Sequence, residues 1–124
     1  MTTDWRALCV GPCIEVDGDY VVVTFESGRA HRVQIRETGS AFEIHAVVAR
    51  AAAVSAVPDL PLRIWRHNRG AQLVGFRIDE RGRVRAEGWA PKAGLTREEF
   101  MLVLRRVAAE GDRLEFLLTG RDVE

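Results

Sequence analysis

Thr96-Arg97-Glu98-Glu99-Phe100-Met101-Leu102-Val103-Leu104-Arg105-Arg106-Val107-Ala108-Ala109-Glu110-Gly111-Asp112-Arg113-Leu114-Glu115-Phe116-Leu117-Leu118 is the stretch that decides how this chain folds. Thr96 is a good helix N-cap, and Glu99 stands three residues on, where it completes a capping box. Leu95 and Phe100 are spaced for a hydrophobic staple across that cap. Phe100, Leu104, Val107, Gly111, Leu114 and Leu118 then recur in steps of four and three, one continuous apolar stripe. Arg97, Glu98, Arg105, Glu110, Asp112 and Arg113 fall off the stripe and are expected in solvent. Glycine on the stripe is unexpected, because it weakens a helix by roughly 1 kcal/mol relative to alanine. Gly111 therefore marks either a close approach by the sheet or a second subunit, or a point where the helix breaks in two.

Upstream of this helix the chain reads as sheet, and a half-exposed sheet needs a cover for its apolar face. Tyr20 to Glu26 is β-branched and aromatic, Ser27-Gly28 reads as a two-residue turn, and Arg29 to Arg36 alternates cleanly. After a turn at Glu37 to Ser40, Ala41 to Val48 alternates again. Closing both turns as simple hairpins sets Ile35 opposite Phe42 and beside Tyr20, and Val33 opposite Ile44 and beside Val22. That register gives one core face on a three-stranded meander. It also turns Val21, Val23, Phe25, Ala30 and Val47 away from the core, so either an N-terminal segment or a partner must cover them. Ile14 to Val16 is an optional further strand before the Asp17-Gly18 turn. Residues 1–12 form a short helix or strap that Pro12 stops.

Residues 49–57 are an Ala/Val-rich crossover. Asp59 and Pro61 open a helix that runs to Asn68 or Arg69, buries Leu62, Ile64 or Trp65, and ends at Gly70. A second hairpin pairs Leu73 to Ile78 with Arg83 to Trp89. In its turn, Asp79-Glu80-Arg81-Gly82, the glycine suits a type I turn followed by a left-handed bulge residue. The result is an α+β fold: one antiparallel sheet in the order β-β-β-α-β-β-α with helices packed on it. The chain, residues 1–124, is expected to be a single domain, long enough to bury about two-thirds of its unfolded surface.

Composition narrows the function classes. Eighteen basic and 18 acidic residues cancel, which argues against long-range attraction to nucleic acid or an anionic membrane. No apolar run reaches membrane-spanning length, and the first residues lack a basic and apolar leader pattern; the expectation is a cytoplasmic protein. Cys9 and Cys13 are spaced for neither a redox pair nor a usual zinc site. The basic window from Arg63 to Arg85 reads as a solvated face pairing with acidic groups of the last helix. His31 falls on the core face, His45 on the outer face and His67 on a helix, with no carboxylates spaced to converge on them. No nucleophile elbow or phosphate loop is present. No catalytic, metal or cofactor-binding residues are assigned, and an enzyme is not expected. Trp65 and Trp89 bracket the second hairpin; core packing is expected, and an exposed one would mark a partner contact.

A helix ending in Asn68, then Gly75-Phe76-Arg77-Ile78-Asp79, a turn with Gly82, Val84 and a strand reaching Pro91, and Leu95-Thr96 opening a long amphipathic helix together resemble the type III secretion chaperone-like families. The bacterial sensory transduction regulator family, which shares that fold, is similar in the same region. The resemblance is densest over residues 58–119, and its motifs are turn and core positions. It implies a small cytoplasmic α+β protein, homodimeric, that binds an extended segment of a protein partner and is not an enzyme. The chain departs from secretion chaperones in a first helix reduced to residues 2–9 and in having no net acidity. Candidate partner or dimer contacts are Val21, Val23, Phe25, Val47, Trp65, Trp89 and Gly111. The alternative reading is a regulator sensing a small ligand between sheet and last helix.

Overall fold

Six antiparallel strands form one sheet in a computed structural model that describes residues 4–55, 57–70 and 73–119. The strands are β1 (Ile14–Asp17), β2 (Tyr20–Thr24), β3 (Ala30–Glu37), β4 (Ala41–Ala49), β5 (Gly75–Ile78) and β6 (Val84–Pro91), ordered β1-β2-β3-β4-β6-β5. The helices are α1 (Ala51–Val54), α2 (Leu60–Gly70) and α3 (Arg97–Thr119), preceded by a 3-10 turn at Trp5–Leu8. The part of the N-terminal helix or strap expected at residues 1–3 lies outside the described residues. The second hairpin adds to the same sheet because β6 pairs with β4 along its length, Phe42 opposite Ala90 and Ala46 opposite Ala86.

One face of the sheet is covered by α3, which packs on β3, β4 and β6. Phe42, Ile44, Val33, Val84, Phe100, Leu104 and Val107 are wholly buried there, and the Phe42 and Phe100 rings meet edge to face at 5.6 Å. The Thr96 cap forms, with Glu99 closing on its hydroxyl: the Glu99 N–H donates to Thr96 Oγ1 at 3.1 Å, and that hydroxyl donates to Glu99 Oε1 at 2.9 Å. α3 is unbroken at Gly111, which faces the sheet.

β2 presents the opposite face from the one expected. Val21 and Val23 are buried on the core face, whereas Tyr20 and Val22 lie on the open side. The cause is the length of the β2–β3 connection. Val21 pairs with Val33, and Thr24 with Ala30, one residue off a two-residue hairpin. The Gly28 N–H donates to Phe25 O at 2.9 Å, Phe25 N–H donates to Arg29 O at 2.7 Å, and Gly28 has φ +89°. This is a three-residue loop with a left-handed bulge residue, and a one-residue slip moves every side chain of a strand to the other face. The Asp79–Gly82 turn, where this device was expected, has the same pattern, with Gly82 at φ +77°. Between β3 and β4 the register is Ile35 opposite Ile44 and Glu37 opposite Phe42, two residues from the expected pairing. An even shift leaves the core face unchanged.

The edges are managed differently. β1 pairs along β2 as the first edge strand and does not lie over the sheet. At the other edge the Asn68 side chain closes on β5: its amide donates to Phe76 O at 2.9 Å and its carbonyl accepts from Phe76 N–H at 2.8 Å. A helix residue thus takes the place of a further strand, which blunts an otherwise sticky edge.

Candidate functional site

The open face of the sheet is the surface with unclaimed recognition capacity. It carries Tyr20, Arg32 and Gln34 from β2 and β3, His45 and Val47 from β4, Arg85, Glu87 and Trp89 from β6, and Arg77 from β5, because these positions alternate with the core residues. Tyr20, Arg32, Gln34, His45, Val47, Arg83 and Arg85 line one concavity. Arg32 lies over the Tyr20 ring at 3.8 Å, a cation–π contact that holds both side chains flat. A second depression is formed by Glu43, His45, Leu73, Glu87 and Trp89. Trp89 is 59% exposed and Leu73 56%, so two large apolar side chains stand in water beside it.

Charge on this face is arranged in local pairs. Glu87 Oε1 is 2.6 Å from Arg77 Nε and 3.3 Å from His45 Nδ1. Burial pushes the His45 imidazole below its usual value, against the pull of Glu87, with Arg85 adding to the depression. Asp79 accepts from the backbone N–H groups of Arg81 and Arg83 and from Arg83 Nε, at 2.8–2.9 Å. Burial alone would raise its carboxyl, but the backbone and side-chain donors of Arg83 and the Arg81 N–H prevail and hold it low. Arg77, Arg83 and Arg85 of the basic window therefore pair within their own hairpin. Among the described residues, the expected pairing with acids of the last helix comes down to His67 Nε2 near Glu110 Oε2 at 3.9 Å, while Arg63 reaches the Leu117 carbonyl at 3.4 Å.

The candidate contacts divide accordingly. Val21 and Val23 are buried on the core face and Gly111 of α3 faces the sheet, so in this fold they have no surface to offer; the β2 register and the unbroken helix put them there. Phe25 is half-buried at the rim, in a groove with Arg29, Asp112, Phe116 and Leu117. Val47 is half-buried on the open face. Trp65 is 57% exposed on α2 and Trp89 is on the open face, so core packing holds for neither. Of the three residues from which α2 was expected to bury its contacts, Ile64 is buried, and Leu62 is exposed like Trp65. Sequence reading missed Tyr20 and Leu73 as surface residues. A run of β-branched and aromatic residues without alternation gave no sign of which parity faces out.

The histidine expectation also changes. His31 is buried on the core face as read, but two carboxylates do converge on it. Asp112 and Glu115 of α3, both buried, bring a donor atom each to within 4.8 Å of one another and of the His31 ring. Their i, i+3 spacing aims both at the sheet, and Asp112, expected in solvent, instead accepts from Arg29 Nη2 at 2.7 Å.

No family model matches the chain, and no curated protein matches it. Solved structures do. A chain of the heterodimeric ExoU-SpcU complex from the type III secretion system of Pseudomonas aeruginosa aligns with a TM-score of 0.64 at 14% identity, over 85% of this chain and 87% of that one. A chain of the ExsC-ExsE complex gives 0.59 at 18% identity, over 87% and 83%. One from the HopA1-SchA chaperone-effector complex gives 0.51 at 13% identity, over 94% and 87%. At such identities the likeness is one of fold, and the fold is type III secretion chaperone-like. Among the described residues no helix is long and apolar enough to cross a membrane.

Proposed function

We propose that this chain is a non-enzymatic protein-binding module, a cytoplasmic chaperone or adaptor that holds an extended segment of a protein partner against the open face of its sheet. The observation that carries the reading is the pairing of a chaperone-like fold with a sheet face that no described helix covers, on which Trp89 and Leu73 are exposed beside paired charges. Exposed aromatic anchors with a polar surround are what a peptide-binding surface requires. Asn68 occupies the β5 edge at Phe76, which favours side-chain recognition on the face over strand addition at that edge. Homodimerisation is the companion reading, favoured by Leu62 and Trp65 exposed together on α2.

The small-ligand alternative required a pocket between sheet and α3. That layer is filled by Phe42, Ile44, Phe100, Leu104 and Val107, which supports the protein-binding reading over it. The test is co-purification of tagged wild type and Trp89→Ala from the native host, with sedimentation to fix stoichiometry. A single partner near one-to-one or one-to-two, lost on Trp89→Ala but retained by Trp65→Ala, is the expected result. A monomer with no captured partner would sink the proposal. A dimer abolished by Trp65→Ala would establish the companion reading.

A further inference from the structure

The cluster beneath α3 has a chemistry that peptide binding does not use. His31 is 1% exposed, Asp112 5% and Glu115 0%, so an imidazole and two carboxylates sit inside an otherwise apolar layer. Burying such groups is costly unless something compensates them. Arg29 holds Asp112 Oδ2, and Asp112 Oδ1, also buried, has no hydrogen-bond partner. His31 Nε2 lies 3.2 Å from Val47 O, and a carbonyl can only accept, so Nε2 carries the proton and Nδ1 is the site for a second proton or a metal. Metal-ligating histidines are oriented in this way, with the other ring nitrogen donating to a backbone carbonyl.

We infer that His31, Asp112 and Glu115 form a binding site for one divalent transition-metal ion of the zinc or manganese class. One imidazole nitrogen and two carboxylate oxygens are a donor set such ions accept. The three donor atoms lie within 4.8 Å of one another, and ligands held at about 2.1 Å around a tetrahedral ion sit about 3.4 Å apart, so any pair must close by at most about 1.4 Å to share the metal. The Arg29–Asp112 contact constrains one carboxylate as a second layer of support. Entry is available, because the rim groove of Phe25, Arg29, Phe116 and Leu117 reaches Asp112. An imidazolium paired with these carboxylates is the competing arrangement, and the experiment separates the two.

The full chain, stripped with chelator, is titrated with Zn2+ and Co2+ at pH 7.5. The expected result is one ion per chain, a melting temperature raised by about 10 °C at a hundredfold excess over Kd, and cobalt bands without thiolate charge transfer. Asp112→Asn and Glu115→Gln should each weaken binding at least tenfold while remaining folded. Should those variants fail to fold, Cys9→Ser/Cys13→Ser/His45→Gln/His67→Gln leaves His31 as the sole imidazole; X-ray absorption must then still report one imidazole and only oxygen otherwise. No saturable binding up to about 1 mM would overturn the inference in favour of a protonated His31. So would binding lost in the four-residue variant, or unchanged in folded Asp112→Asn and Glu115→Gln.

Discussion

Gly88 and Gly111 face the same layer from opposite sides, and the same substitution at each should move stability in opposite directions. A Cβ at Gly88 would lie 2.7 Å from both Val103 Cγ1 and Val107 Cγ2, and 3.4 Å from the Leu73 carbonyl. Valine in a helix is confined to one χ1 rotamer, so neither methyl can turn aside, and α3 must lift from β6. Overpacking of this kind costs about 1–3 kcal/mol. For a chain of this length, 1 kcal/mol corresponds to about 4 °C in melting temperature, so Gly88→Ala should lower it by about 4–12 °C. At Gly111 the nearest atoms to an added Cβ are Ala86 Cβ and His31 Nε2 at 3.6 Å and Val48 Cγ2 at 3.7 Å, ordinary contact distances. Gly111→Ala then gains the helical preference of about 1 kcal/mol without a clash, and should raise the melting temperature by about 4 °C. Circular-dichroism melts and guanidinium titrations measure both. Adding Val107→Ala to Gly88→Ala should recover part of the loss, since the second change removes one of the two obstructing methyls. A neutral or stabilising Gly88→Ala, or a destabilising Gly111→Ala, would refute the packing argument.

Three further outcomes follow from local chemistry. Thr96→Ala removes the α3 cap and should cost about 1 kcal/mol, read as a fall of about 4 °C. Asp79 has a carboxyl held below its ordinary value of 3.8, so its contribution to stability is complete above that value and is lost as pH falls through the lower, folded one; Asp79→Asn should flatten the acid limb of a stability–pH profile measured by denaturant titration. Burial raises the Cys9 thiol to about 11, whereas Cys13 is exposed, so iodoacetamide at pH 8 should alkylate Cys13 first, and mass-spectrometric mapping showing the reverse order would contradict this assignment.

Much of the fold is legible in the sequence because its signals are local. The Thr96 cap, the apolar stripe of α3, the Gly82 turn and the alternation in β3 and β4 each depend on residues a few positions apart, and each forms as read. Gly111 is the exception: its chemistry suggested a break or a close approach, and the tightest approach in fact occurs at Gly88. The recognition surface was only partly legible. Trp65 and Trp89 were singled out, but their exposure depends on where α2 and β6 come to rest.

The sequence by itself determined the order of β2 to β6 with α2 and α3, the one long covering helix and the absence of net charge, since periodicity, capping and composition are properties of neighbouring residues. Tertiary structure decided the facing of β2 and the company of His31. Tyr20-Val21-Val22-Val23-Thr24 has apolar side chains on both parities, so hydrophobic pattern could not choose between them, and a single bulge residue at Gly28 did. His31 and Asp112 are 81 positions apart in the chain (112 − 31), and no local rule places an imidazole against two carboxylates across that separation. Only the docking of α3 on the sheet brings them together.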